Sequence, residues 1–406
     1  MPESSDNRYD AAIGQRIQAI RLQRGLTQQG LAQRAHVSYS SITKVESGHR
    51  AATPTLTAAC ARALRVPVTD LTGQPYFDAL KRDQMEELIQ PIRHAIANPM
   101  LPVGEVSPRD PEAIRADVVY LDEARLRGQY MEIGTIAPAL IDELLHLAHT
   151  TPEGREREKI HGTLAHTYRM AHAFVYKLGF LDLALLALDR MEQAASLGPD
   201  PYLAVVVCHY RSNYFLHHGA YDIGLREIAT MEESLTDPVR RGDPRALSLM
   251  GTMHLKAAVM HSRRRRPTST TDVAERIGEA RELAGRLADQ PDPYGLTFDR
   301  PNVEIHATST KIDLGDVGGA AEHGEQLRLP GGWALNRSGH HHMDMARAYE
   351  KLGRPTDALQ SLMAAKVAAP VQTRYHPTTR ETVLALLRRH RTPSRELSGY
   401  ARWVGV

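Results

Sequence analysis

Apolar residues recur along this chain at intervals of three and four, and no stretch keeps the two-residue alternation of a strand for long. The pattern predicts helices throughout. Residues 13–71 divide into five short helices with tight turns between them. Residues 76–97 read as one longer amphipathic helix, with Leu80, Met85, Leu88, Ile89, Ile92 and Ile96 on its apolar face and a bend at Pro91. Residues 98–111 then carry Pro99, Pro102, Gly104, Pro108 and Pro111, which is linker chemistry and marks the best domain boundary in the chain.

Beyond that boundary a repeat emerges. Gly128, Gly179, Gly219, Gly315 and Gly353 each follow an apolar helix and open another. After the last four, a small residue stands five positions on: Ala184, Gly224, Ala320 and Ala358. Glycine supplies the tight turn, and the small residue lets the two helices of a pair approach closely. The longest interval, between Gly219 and Gly315, has room for one more pair, at 246–261 and 272–289, with a loop at 262–271. Residues 378–404 read as a terminal helical cap. The expected body is an α-solenoid of about six helix pairs that resembles tetratricopeptide repeats, with longer and less regular units.

Composition narrows the classes. At 406 residues and 42% hydrophobic, the chain is too long for one core and too apolar for disorder. No apolar run is long enough to span a bilayer and the first dozen residues are polar, so no membrane association and a cytoplasmic, nucleoid-associated location are expected. Cys60 and Cys208 offer no disulfide framework and no metal-ligand spacing. Arginine far outnumbers lysine, a composition expected of a GC-rich bacterial genome. The net charge of +2 is unevenly spread: residues 1–75 hold nine Lys and Arg against five Asp and Glu. A basic head on a near-neutral body fits a phosphate-binding module joined to something else.

The head carries the sharpest motif. Thr27 is a good N-cap for a helix with Leu31 and Ala32 on one face; Ala35, His36 and Val37 make a turn; Ser38 caps a second helix whose buried stripe is Ile42 and Val45, and Gly48 ends it. Two short helices in this arrangement let the second enter a major groove about 12 Å wide. Leu26-Thr27-Gln28, Leu31-Ala32, Val37-Ser38, Ile42, Val45-Glu46-Ser47-Gly48 and Pro54-Thr55-Leu56 resemble the helix-turn-helix of the phage-repressor-like, or XRE, family over residues 13–73. The resemblance implies a five-helix lambda-repressor-like DNA-binding domain at 1–74; with the linker and the repeats read above, the expectation is an all-α fold with a connecting helix and Pro-rich linker at 75–111 and a helical-repeat sensor and dimerisation domain at 112–406. It further implies that Gln28 binds a phosphate at a helix N-terminus, and that Tyr39, Ser40 and Lys44 read bases with Thr43 facing the groove beside them. Ser41 and Arg50 are implied as backbone contacts, Lys44 as a donor to guanine, Tyr39 as a partner for a thymine methyl, and a symmetric homodimer on a double-stranded operator as the binding species. One departure stands out: His36 occupies the place of a left-handed glycine, a conformation histidine tolerates better than bulkier residues.

The remaining constellations are weaker. His340, His341 and His342 point in different directions on a helix, and only His340 and Asp344 share a face, so no metal is expected. Arg263–Arg266 read as a solvated loop between helices, with DNA contact as the rival. No GxSxG, P-loop, GxGxxG or HExxH is present, and neither a cofactor nor catalysis is expected. The first helix of each solenoid pair lines a concave groove, which Asn213, Asn302, Arg337 and His341 are expected to face as ligand-binding residues for a small molecule or peptide, with a buried or capping role for the asparagines as the rival. A repressor-like head on such a body resembles, in overall plan, the peptide-pheromone receptors of Gram-positive bacteria. The rival is an interaction scaffold, antitoxin-like or docking a partner protein through the repeats, with the head an accessory anchor.

Overall fold

The computed structural model describes residues 12–98, 106–287, 292–389 and 392–406, and among them no strand occurs. The head is built from α1 (Ile13–Gln23), α2 (Gln28–Ala35), α3 (Tyr39–Glu46), α4 (Pro54–Leu64) and α5 (Val68–Thr72). Thr27, Ser38 and Thr53 each accept the third backbone amide of the helix they precede, at 2.9, 3.2 and 3.2 Å, so α2 and α3 start where the sequence places their caps and Thr53 caps α4 in the same way. Ile17, Leu31, Ile42, Cys60, Leu64 and Leu71 close a small core of their own. Gly14 lets α1 lie directly on α3: a Cβ there would stand 2.0 Å from the Val45 carbonyl oxygen.

The single helix expected at 76–97 is instead two, α6 (Phe77–Arg82) and α7 (Ile89–Ala97), with a 3-10 turn at Glu86–Leu88 between them. The break falls at Asp83–Met85, not at Pro91. Gln84 turns left-handed at φ 57°, Met85 drops into the core, and the Asp83 carboxylate is held by Arg374 and by the Tyr375 hydroxyl, both at 2.6 Å. Pro91 lies in the first turn of α7, where a missing N–H forfeits no helical bond. The apolar face of this segment (Leu80, Met85, Ile89, Ile92 and Ile96) belongs to the body's largest core cluster. Of the expected linker, Pro99, Pro102 and Gly104 lie outside the described residues, while Pro111 opens the next helix behind an Asp110 cap.

Six helix pairs follow. They are α8 (Pro111–Arg127) with α9 (Tyr130–Thr150), α10 (Arg155–Lys177) with α11 (Leu181–Ser196), and α12 (Leu203–His218) with α13 (Tyr221–Arg240). Next come α14 (Pro244–Arg264) with α15 (Ser269–Arg286), α16 (Arg300–Leu314) with α17 (Val317–Gln326), and α18 (Leu335–Lys351) with α19 (Pro355–Ala368). Three helices, α20 (Pro370–Arg374), α21 (Pro377–Arg389) and α22 (Arg395–Val404), end the described chain. Gly128, Gly179, Gly219, Gly315 and Gly353 all turn with positive φ at pair junctions, and Ala184, Ala320 and Ala358 are buried at the close approaches. At the fourth such position a Cβ on Gly224 would come within 2.6 Å of the Met260 side chain. The loop expected at 262–271 is shorter, because α14 runs on to Arg264. Arg263 is not a solvated loop residue: its Nε meets the buried Asp313 carboxylate at 2.8 Å, and Arg264 pairs with Asp222.

The solenoid does not stay open. α18 packs against α8, and the Tyr130 hydroxyl reaches Gln372 in α20, so the last helices close onto the first and the concave side becomes a cavity inside a ring. Among the described residues no helix is long and apolar enough to cross a membrane.

Candidate functional site

The orientation of α3 rests on a buried ion pair. Arg21, on α1, places Nε and Nη2 on the two oxygens of Glu46 at 2.7 and 2.8 Å, and its Nη1 donates to the Leu26 carbonyl at 2.7 Å. Glu46 enters the sequence reading only within the Val45-Glu46-Ser47-Gly48 resemblance, and Arg21 has no site role in it. The signal available was the acidic residue before Ser47-Gly48, on the same side of α3 as Ile42. The turn between α2 and α3 takes its left-handed step at His36, with φ 53° and ψ 43°, and the Val37 amide closes it onto the Ala32 carbonyl at 3.0 Å.

This frame leaves one face of α3 to solvent. Tyr39 is 55% exposed, and Ser40, Lys44 and Arg50 are exposed beside it. Thr43 is half-buried and donates to the Tyr39 carbonyl, while Ser41 shares a 2.7 Å hydrogen bond with Ser38. Gln28 is engaged: its amide nitrogen donates to Glu46 at 2.9 Å, so reaching a phosphate means trading that bond away. The seven residues expected to touch DNA thus lie on or beside the exposed face of α2 and α3.

The opposite side of the head rests on the body. The Ile13 amide, first of α1, donates to Glu381 Oε1 at 2.8 Å; Arg62 donates to the His218 carbonyl at 2.8 Å, and Gln74 to the Tyr375 carbonyl at 3.3 Å. Beneath this contact lies a cavity of about 330 Å³. Its wall draws on the first helix of every pair, on α20 and α21, and on Ala52, Pro54, Thr57 and Thr72 of the head.

The cavity is strongly basic. Lys177 of α10, Lys256 of α14 and Arg337 of α18 all reach it, and each meets a neutral partner: His340 at 3.1 Å, Asn213 Oδ1 at 2.7 Å, and Asn302 Oδ1 at 2.8 Å. Burial, together with the neighbouring cations, pulls Lys177 and Lys256 down to about 7, and burial alone lowers Arg337 to about 10 against the opposing pull of Asp344 and Asp299. Burial also holds His306 and His340 well below the ordinary imidazole range, which leaves them neutral. Of the residues expected to face a ligand, Asn213, Asn302 and Arg337 line this cavity. His341 does not: it is buried on the other side of α18, beside Gly324, and its neighbours His340 and Asp344 line the wall instead. Asn302 is also structural, since its amide nitrogen donates to the Thr297 carbonyl. Lys177 and Lys256 have no place in the sequence reading, whereas His340 enters it with Asp344 as polar helix surface or a ligand-pocket wall. Lys256 did carry a signal, as a lone cation inside the apolar run 249–260.

Comparison with known proteins bears on the head. Residues 17–71 match the helix-turn-helix family model, a family of DNA-binding regulators. No curated protein and no solved structure shows significant similarity to the chain. Residues 17–71 therefore form a DNA-binding helix-turn-helix head on an all-helical body.

Proposed function

We propose that this protein is a sequence-specific transcriptional regulator that binds its operator as a homodimer, and whose helical body senses a small molecule. It is not an enzyme on this reading. The observation that carries it is the two-sidedness of the head: the base-reading face of α3 is open to solvent, while the opposite face roofs a cavity in the body. A ligand in that cavity would touch head and body together. It would alter DNA affinity to the extent that it binds the DNA-competent and incompetent arrangements unequally.

Gel retardation on operators selected from random DNA tests the reading side. Lys44→Ala is expected to cost about 1–3 kcal/mol on the selected site and to relax preference at one or two positions, while Gln28→Ala weakens all sequences evenly. Selected sites should be palindromic, with half-sites about 34 Å apart. Full retention of preference by Lys44→Ala at fixed salt would sink the assignment of α3 as the reader.

A further inference from the structure

We propose that the cavity is an anion site, taking a small molecule that bears phosphate or carboxylate groups and meeting its charge with Lys177, Lys256 and Arg337. The proposal rests on the sensing reading above and names the chemistry of the ligand. Three helices, α10, α14 and α18, each send one cation to the same space, and among the described residues none of the three forms an ion pair. The other basic groups of the wall are accounted for. Arg125 is paired with Asp122 at 2.8 Å, and Arg263 and Arg347 share Asp313, each at 2.8 Å. The two carboxylates that line the cavity are also committed, Asp344 beside Arg347 at 3.6 Å and Glu381 to the amide that opens α1.

What remains is a surplus of three basic groups around one space, and each that keeps its proton there costs stability unless a counter-charge arrives. Polar atoms without partners stand ready beside them: the Tyr210 hydroxyl, His209 Nδ1 and the Asn336 side-chain oxygen are buried and unsatisfied. Groups left in that state mark a place where something else completes the bonding. About 330 Å³ lies at the small-molecule end of ligand pockets. A neutral peptide of that size would leave all three cations unmet. An anion would also reprotonate the two lysines, so its binding should draw protons from solution above pH 7.

The test uses the full-length chain and three probes at constant ionic strength: inorganic pyrophosphate, citrate, and capped trialanine as the neutral control. Isothermal titration and thermal unfolding are run on the wild type and on Lys177→Met/Lys256→Met. At least one anion is expected to bind saturably and raise Tm, with Kd at least tenfold weaker in the double variant, and the better of the two identifies phosphate or carboxylate as the recognised group. Capped trialanine should not bind. Arg337→Gln provides the same comparison should the double variant fail to fold. The proposal is overturned if neither anion discriminates wild type from variant, or if the neutral peptide binds as tightly. Retardation of operator DNA is measured alongside. Specific DNA binding without anion binding removes this site and leaves the regulator standing, whereas anion binding without any effect on DNA keeps the site and removes its role as the signal.

Discussion

At the Arg21–Glu46 pair, two buried charges fix α1 against α3. Removing one partner strands the other, so Glu46→Ala is expected to destabilise the head by on the order of 3 kcal/mol, read from chemical unfolding and from loss of DNA retardation. An unchanged midpoint would show that the core alone sets the geometry. Cys60 and Cys208 offer a second check, since burial pushes both thiols up to about 12. Neither should react with a disulfide reagent at pH 8 until the protein is unfolded. At this scale the sequence was legible where chemistry is local. Thr27 and Ser38 were readable as caps, and His36 as a left-handed turn, because each acts on amides within a few residues. Lys177 and Lys256 were not, because their meaning comes from helices some eighty residues apart that face one another only in the closed ring.

Helices are where the sequence was most informative, since period and capping are written into a dozen consecutive residues. The five glycine junctions and the small residues after them place the pairs almost residue by residue. The misses have a common cause. Pro91 looked like a bend, yet it sits where no helical bond is lost, and the real break at Gln84 comes from Arg374 and Tyr375 capturing Asp83 from far along the chain. The extension of α14 through Arg264 likewise depends on Asp313 and Asp222, which a window around 262–271 does not contain. One element-level prediction follows from the contact of α1 with α3. Gly14→Val places two methyl groups against the Val45 carbonyl, so circular dichroism and retardation should report loss of the head while the thermal transition of the body persists. Persistent DNA binding by this variant would mean that α1 can shift away without cost to α3.

On the scale of the whole molecule the closed ring converts a groove into a charged interior, and that has a pH signature. Burial keeps His209, His217, His306, His340 and His376 neutral above pH 7, and Arg125, Arg263 and Arg337 remain charged beside the two lysines. Cys208 next to Lys256 is pushed up to about 12 and Arg337 gives up its proton only towards about 10, so between pH 7 and 9 the change in charge of these groups comes chiefly from the lysines. Unfolded lysines keep their protons to about 10.4, whereas these lose them near 7, so the unfolded state binds more protons through that window. The cost of the cations is therefore full below pH 7 and fades as pH rises. The Tm of the empty wild type should climb relative to Lys177→Met/Lys256→Met between pH 7 and 9.5; parallel curves would show that the lysines titrate normally.

The latch between Ile13 and Glu381 spans 368 positions of sequence, and a ribosome reads them in one direction. The head, with its own small core, emerges and folds well before its docking partner, which is made 368 residues after Ile13. Every nascent chain therefore passes through a period in which a folded head exists with no roofed cavity below it. A messenger truncated before α21 would fix the protein in that state, with the exposed face of α3 intact and the Glu381 hold on the head gone.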